Sequence, residues 1–83
     1  MDLNETLSAA MRDFMADHRI SRRDVAARLD RSIDYVQGRV SGKRALSVDI
    51  ISAVGQLAGI SDRALMTEIM SKATGTWQGS SER

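Results

Sequence analysis

Basic side chains are concentrated in one segment of this 83-residue chain, and they define the chemistry open to it. Residues 19–44 hold eight Arg or Lys and three Asp, a net charge of +5, whereas the other residues hold four basic and eight acidic side chains, a net charge of −4. The overall charge of +1 therefore conceals a strongly polarised sequence. Clustered guanidinium and ammonium groups bind polyanions such as nucleic acids. The alternative for such a charge run is a solvated helical face without a ligand.

Two short helices are predicted inside this basic segment. The first opens at Ser21, with Asp24 at the spacing of a capping box, and the second opens at Ser32 and stops at Gly42. Each carries apolar residues at helical spacing on one face: Val25, Ala26, Leu29, Ile33, Val36 and Val40. A helix, a tight turn and a second helix form the geometry that places one helix in the major groove of DNA. Because this pattern and the positive charge coincide, a nucleic-acid surface is favoured over a merely solvated one.

Composition excludes several other functions. The chain has no Cys and a single histidine, His18, so it has little material for a metal site or a Ser-His-Asp triad, and we expect no cofactor, no metal and no enzymatic activity. It has no apolar run near the roughly 18 residues of a membrane span. The first residues lack the basic start and apolar block of a signal peptide, which predicts a cytoplasmic protein.

Three further helices are predicted around the basic pair. They cover residues 2–18, the stretch from Ser47 to Gly59, and a stretch that opens at Ser61 and is closed by Thr74 and Gly75. The first carries one apolar face: Leu3, Leu7, Ala10, Met11 and Phe14. His18 continues this stripe near the helix end and is expected to be a core-edge residue or a C-terminal cap, not a ligand. Without proline and with many helix formers, the sequence predicts a compact, all-α, five-helix domain over residues 1–75 and a polar tail over residues 76–83.

Short motifs between residues 20 and 66 resemble one known family. They are Val25-Ala26 before Leu29, Ser32 at the start of the second helix, Gly42-Lys43-Arg44 after it, and Ala58-Gly59-Ile60-Ser61 at the end of the fourth helix. Together they are similar to the lambda-repressor-like, or Cro-like, helix-turn-helix family of phage and bacterial regulators. The resemblance implies a lambda-repressor-like DNA-binding domain whose recognition helix, at about residues 32–41, lies in the major groove.

The chain departs from the family pattern at four positions. Asp30 stands in the turn where the family often has Gly, and Arg22 stands where it usually has a phosphate-binding Gln. The family normally places an apolar residue at the position of Arg39 and an acid at that of Val40, so the apolar and the charged residue have changed places here, and the charge is basic. Apolar periodicity puts Ile33 inward and Arg39 outward, whereas the family register puts Arg39 inward and Ile33 toward DNA. Burying an unpaired arginine is expensive, so the first register is preferred near the helix end, while Ile33 stays open.

Both registers point Asp34 and Gly38 outward, with Gln37 on the flank. Gln37 can pair with adenine. Asp34 either accepts a hydrogen bond from a cytosine amino group or only stabilises the recognition helix as an acid near the positive end of the helix dipole. The Tyr35 hydroxyl either reaches a phosphate or packs at the helix edge. The expected base contacts are Ile33, Asp34, Gln37 and Gly38. The expected phosphate contacts are Arg22, Arg31, Ser32, Tyr35, Arg39, Lys43 and Arg44.

The fifth helix carries two apolar rows. Leu65 and Ile69 form the row expected to pack on the domain itself. The second row, with Trp77 just beyond it, is the expected surface for a second copy: Met66, Met70, Ala73 and Trp77. The alternative is that both rows are buried in the monomer.

The function these features predict is sequence-specific binding of a double-stranded DNA operator by a transcriptional repressor or regulator of phage or bacterial type. A weak homodimer through the fifth helix would pair two half-sites about one helical turn apart. The alternative is a protein-interaction module, such as an antitoxin or an adaptor, on the same fold.

Overall fold

The structure, a computed structural model, describes residues 3–76, with the backbone alone at residues 75 and 76. The described residues form five α-helices and no strand: α1 (Leu3–Asp17), α2 (Arg22–Leu29), α3 (Ile33–Val40), α4 (Val48–Ala58) and α5 (Asp62–Thr76). The predicted all-α class is thereby confirmed. None of these helices is long and apolar enough to cross a membrane.

One apolar core joins all five helices. Phe14 is its largest fully buried side chain, as its position on the α1 stripe predicts. The other fully buried apolar side chains come from every helix: Met11, Val25, Val36, Val40, Ile50, Val54, Leu65 and Ile69. The longest helices, α1 and α5, pack on each other, and Lys72 of α5 forms a 2.9 Å ion pair with Asp17 of α1. The core therefore fixes the position of the short helices α2 and α3.

The start of α2 and the turn to α3 follow from local residue chemistry. The Ser21 hydroxyl accepts from the backbone N–H of Asp24 at 3.0 Å, and the Asp24 carboxylate accepts from the Ser21 N–H at 2.9 Å, which confirms the predicted capping box. Asp30 ends α2 with φ 55°, a left-handed conformation that Asp tolerates. The Arg31 N–H then donates to the carbonyl of Ala26 at 3.0 Å and turns the chain sharply into α3.

One prediction about α1 needs correction, and another is confirmed. Leu3 belongs to the expected apolar stripe, yet its side chain is 69% exposed, because the first residue of α1 extends past the core. His18 lies at the core edge as expected: the residue is exposed, and its ring stacks on Phe14 with centroids 4.0 Å apart. The Nδ1 atom of His18 lies 3.0 Å from the Phe14 carbonyl oxygen, so this nitrogen carries a proton and His18 covers the end of α1.

Two expectations about α4 and α5 also change, and Gly55 of α4 marks a close approach of the α4–α5 loop, since a Cβ there would lie 3.1 Å from the Ile60 carbonyl oxygen. Ser47 occupies the N-cap of α4, but its hydroxyl donates to the Asp49 carboxylate and makes no capping bond to the backbone. The last helix continues to Thr76, past the predicted stop at residues 74 and 75.

Candidate functional site

The α3 helix has one fully buried face and one exposed face. Val36 and Val40 have no solvent exposure, whereas Asp34 and Gln37 are exposed. Ser32 is the predicted N-cap, and its hydroxyl accepts from the Tyr35 N–H at 3.1 Å. The hydroxyl proton of this exposed serine stays available as a donor to a phosphate oxygen. The exposed face is therefore presented by a helix that the core holds rigidly from behind.

The expected base contacts lie around one open depression on this face. Asp34, Gln37 and Gly38 line a volume of about 490 Å³ together with Ser41 and Lys43. Among residues 3–76, neither the Asp34 carboxylate nor the Gln37 amide makes a side-chain hydrogen bond. The structure thus brings three of the four expected base-contacting residues together with one expected phosphate contact, and leaves the Asp34 carboxylate and the Gln37 amide without a partner among the described residues.

Arg44 lies directly beside this depression. Its N–H donates to the Gly38 carbonyl at 2.9 Å, so the chain folds back across the end of α3. A Cβ on Gly38 would lie 3.8 Å from the Arg44 Cδ, an ordinary van der Waals distance. Glycine at this position keeps the floor of the depression open, and no backbone strain requires it.

The orientation of α3 differs from the register preferred at its end. Val36 and Val40 point inward as predicted, but Ile33 is 42% exposed and Arg39 is partly buried. Ile33 is the first residue of the helix, where the core no longer reaches its side chain. The cost of burying Arg39, whose Nε has no hydrogen-bond partner among the described residues, is partly offset because its guanidinium carbon lies 3.9 Å from the centre of the Tyr35 ring. Ile33 therefore joins the exposed face.

Tyr35 does not offer its hydroxyl to solvent, which corrects its expected role as a phosphate contact. The hydroxyl donates to Asp49 Oδ2 at 2.7 Å, linking α3 to the first turn of α4. A second guanidinium, that of Arg31, lies 4.6 Å from the ring centre. Hydrogen bonds from Ser47, then from Tyr35 and the Ile50 N–H, hold the pKa of the Asp49 carboxyl below its ordinary value of 3.8 against its partial burial. Asp49 is thus an anionic anchor for Tyr35.

A row of polar side chains on α1, none of them among the predicted site residues, holds the other end of α3. Asn4, Ser8 and Arg12 are spaced by four residues, so they share one face of the helix. They donate to three carbonyls at the end of α3: Asn4 Nδ2 to Gly42 at 3.2 Å, Ser8 Oγ to Arg39 at 3.1 Å and Arg12 Nη1 to Val40 at 2.6 Å. The last carbonyls of a helix lack intrahelical partners, so this row satisfies them. The four-residue spacing of Asn4, Ser8 and Arg12 in the sequence indicates this shared polar face.

Arg12 lies between Arg22 and the depression on the exposed face of α3. Arg12, Ser21 and Arg22 line a cavity of about 190 Å³, and Arg12 and Lys43 line another of about 330 Å³, with Glu5 at its rim. Lys43 in turn lines the depression at α3. The Nε of Arg22 is buried and has no hydrogen-bond partner among the described residues. Basic side chains therefore follow one another from the start of α2 to the exposed face of α3.

The expected surface for a second copy is reduced. Ala73 is only 8% exposed and belongs to the core, and Met66 is partly buried against that core. Met70 is 46% exposed, while Trp77 lies outside the described residues. Ala73 is excluded from a contact surface because it faces inward with Leu65 and Ile69, which have no exposure. Met66 also lines an apolar depression of about 450 Å³ with Leu3, Leu7, Ala45, Leu46 and Ile51.

Comparisons of the chain with protein-family models, with curated proteins and with solved structures give no match, so the resemblance of residues 20–66 to the lambda-repressor-like family stays a prediction.

Proposed function

We propose that α2 and α3 form a helix-turn-helix and that the chain binds double-stranded DNA in a sequence-specific way, as a transcriptional repressor of phage or bacterial type. One observation carries this proposal. Asp34, Gln37 and Gly38 line one depression with Lys43, on a helix whose opposite face is fully buried. An eight-residue helix is about 12 Å long, and the major groove is about 12 Å wide.

Each exposed group on α3 matches a distinct feature of base edges. The Gln37 amide can donate to N7 and accept from the N6 amino group of adenine, and the Asp34 carboxylate can accept from the N4 amino group of cytosine. Ile33, now on the exposed face, suits the methyl group of thymine. Gly38 lets the backbone of α3 approach a base pair. These contacts would specify the sequence.

Two groups of basic residues would bind the phosphates. Arg22, Arg12 and Lys43 follow one another beside α1, while Arg31 and Arg39 lie on the flank of α3 that faces the first turn of α4. Contacts to phosphate position the protein without reading bases, and each releases counterions, so affinity falls with salt. The +5 charge of residues 19–44 supports this role.

The salt dependence of binding tests the proposal. A labelled duplex, first selected from a random pool, is titrated with the chain by fluorescence anisotropy at several salt concentrations. Lys43→Ala should weaken every duplex alike and reduce the slope of log K against log salt by about 0.9. Lys72→Ala removes the same charge on α5, where Lys72 pairs with Asp17, and should leave the slope unchanged. Equal slopes for both variants, or no binding to any duplex, would contradict the proposal.

We further propose a weak homodimer through α5, which pairs two half-sites. Met70 is its exposed centre, and the apolar depression that Met66 lines continues the surface. Methionine side chains adapt to such contacts. The same apolar depression favours a second candidate function, a protein-interaction module of the antitoxin or adaptor kind. That function predicts no salt-dependent binding to any selected duplex, so the titration separates the two.

A further inference from the structure

The guanidinium groups of two arginines lie over the ring of one tyrosine in α3. Arg31 precedes α3, in the turn that joins it to α2, whereas Arg39 follows Tyr35 by one turn on α3. Their guanidinium carbons lie 4.6 Å and 3.9 Å from the centre of the Tyr35 ring. Both distances are within the range of cation–π attraction, which orders a long side chain by its flat face.

The tyrosine itself is fixed by α4. Its hydroxyl donates to Asp49 Oδ2 at 2.7 Å, and the other carboxylate oxygen accepts from the Ile50 N–H at 2.8 Å and from the Ser47 hydroxyl. Both oxygens of Asp49 are therefore occupied, and the carboxylate is tied to the first turn of α4. A ring held at its hydroxyl is a rigid platform for the two guanidinium groups.

Stacking leaves most of the hydrogen-bonding capacity of these arginines unused. A guanidinium has five N–H donors at its edge, and contact through the face consumes none of them. Among residues 3–76, the Arg31 guanidinium makes no hydrogen bond. The Arg39 guanidinium makes only a 3.5 Å bond from Nη1 to the Tyr35 carbonyl, and its Nε is buried without a partner. Two ordered cations with free donors, beside a single carboxylate, suit an anion that accepts hydrogen bonds at the edge of a guanidinium.

We infer that Tyr35 and Asp49 are positioning residues, which hold Arg31 and Arg39 in place for two phosphates of the DNA backbone. This inference rests on the proposed function and names how one flank of that site is organised. A free arginine loses side-chain entropy when it binds a phosphate, whereas a stacked arginine has already lost it. The ring therefore raises affinity without touching the ligand.

A set of variants separates positioning from general damage to α3. Tyr35→Leu removes the platform and should weaken binding to the selected duplex by about three- to tenfold. In a background that carries Arg31→Gln and Arg39→Gln, the same Tyr35→Leu change should have no further effect. Tyr35→Phe keeps the ring and loses only the Asp49 bond, so its loss should be smaller, and it serves as the folded variant if Tyr35→Leu does not fold.

A second measurement needs no DNA. In the free protein, the ring current of Tyr35 should shift the Hδ resonances of Arg31 and Arg39 upfield, and Tyr35→Leu should remove both shifts. If the shifts are absent, or if Tyr35→Leu weakens binding by the same factor in both backgrounds, the inference is overturned while the proposed function stands. If the wild-type chain binds no duplex at all, the proposed function fails and the inference fails with it.

Discussion

The hydroxyl of Ser8 donates a 3.1 Å hydrogen bond to the carbonyl of Arg39, from a side chain with no exposure to solvent. Thirty-one residues separate the two in sequence. The bond joins α1, the helix that spans the core, to the last turn of α3. Together with the bonds of Asn4 and Arg12 to Gly42 and Val40, it fixes the end of the helix that would enter the groove.

Ser8→Ala should lower the free energy of unfolding by about 1–3 kcal/mol, since it leaves the Arg39 carbonyl without its buried donor. Urea denaturation followed by circular dichroism measures the change. The control is Ser71→Ala, a serine exposed on α5, which should alter stability by less than about 0.5 kcal/mol. Similar losses for the two variants would show that the Ser8 bond does not hold α3.

Gly38 of α3 and Gly55 of α4 should respond in opposite ways to alanine. Gly38→Ala should raise the free energy of unfolding by up to about 1 kcal/mol, because the new Cβ meets only the Arg44 Cδ at 3.8 Å. Gly55→Ala should lower it by about 1–3 kcal/mol, because its Cβ would lie 3.1 Å from the Ile60 carbonyl oxygen. Thermal unfolding of both variants checks the signs. The stabilised Gly38→Ala variant should nevertheless bind DNA more weakly; an unchanged affinity would remove Gly38 from the interface.

Gln37→Ala should cost about 1–3 kcal/mol of binding free energy on the best site and relax the preference at one base pair. Its fold should persist, because Gln37 is exposed and its amide has no partner among the described residues. Selection from a random duplex pool measures the preference. Gln56→Ala on α4, where the amide accepts from Arg28 Nε at 2.7 Å, is the control and should leave the preference intact. An unaltered preference in Gln37→Ala would place base recognition elsewhere.

Met70→Asp should abolish self-association, since it places a charge at the centre of the proposed contact between copies. Sedimentation equilibrium over a wide range of concentration measures the mass of the wild type and of the variant. Leu57→Asp is the control, because Leu57 is 39% exposed on α4, and it should keep the dimer. A wild-type chain that stays monomeric at high concentration and binds DNA as a single copy would refute the dimer.

Local features of the fold could be predicted from sequence. The capping box of Ser21 and Asp24 and the N-cap of Ser32 each depend on atoms within three residues, so residue type and spacing sufficed. The left-handed Gly59, which ends α4, follows the same rule. The outward positions of Asp34 and Gln37 followed from the apolar period of α3, because Val36 and Val40 fix which face turns to the core.

Features that depend on distant partners could not be predicted. Arg39 is partly buried against the Tyr35 ring, which its guanidinium contacts. Tyr35 is in turn held by a hydrogen bond to Asp49, fourteen residues away. Apolar periodicity shows only which face of a helix turns to the core. It predicts that an arginine on that face is unfavourable, because it carries no information on an aromatic partner that offsets the cost. Arg12 lies outside the basic segment in sequence, and the fold alone brings it to Arg22 and to Val40. The Ile33 side chain is exposed because the core does not extend to the first residue of α3.

The most direct measurement is an NMR titration of the ¹⁵N-labelled chain with the selected duplex. If α3 lies in the major groove, the side-chain amide of Gln37 and the backbone amides of Gly38 and Lys43 should shift on binding. The resonances of Gly55, packed against the α4–α5 loop, should stay in place. If an excess of duplex leaves the resonances of Gln37 and Gly38 unshifted, α3 is not a recognition helix and the proposed function is wrong.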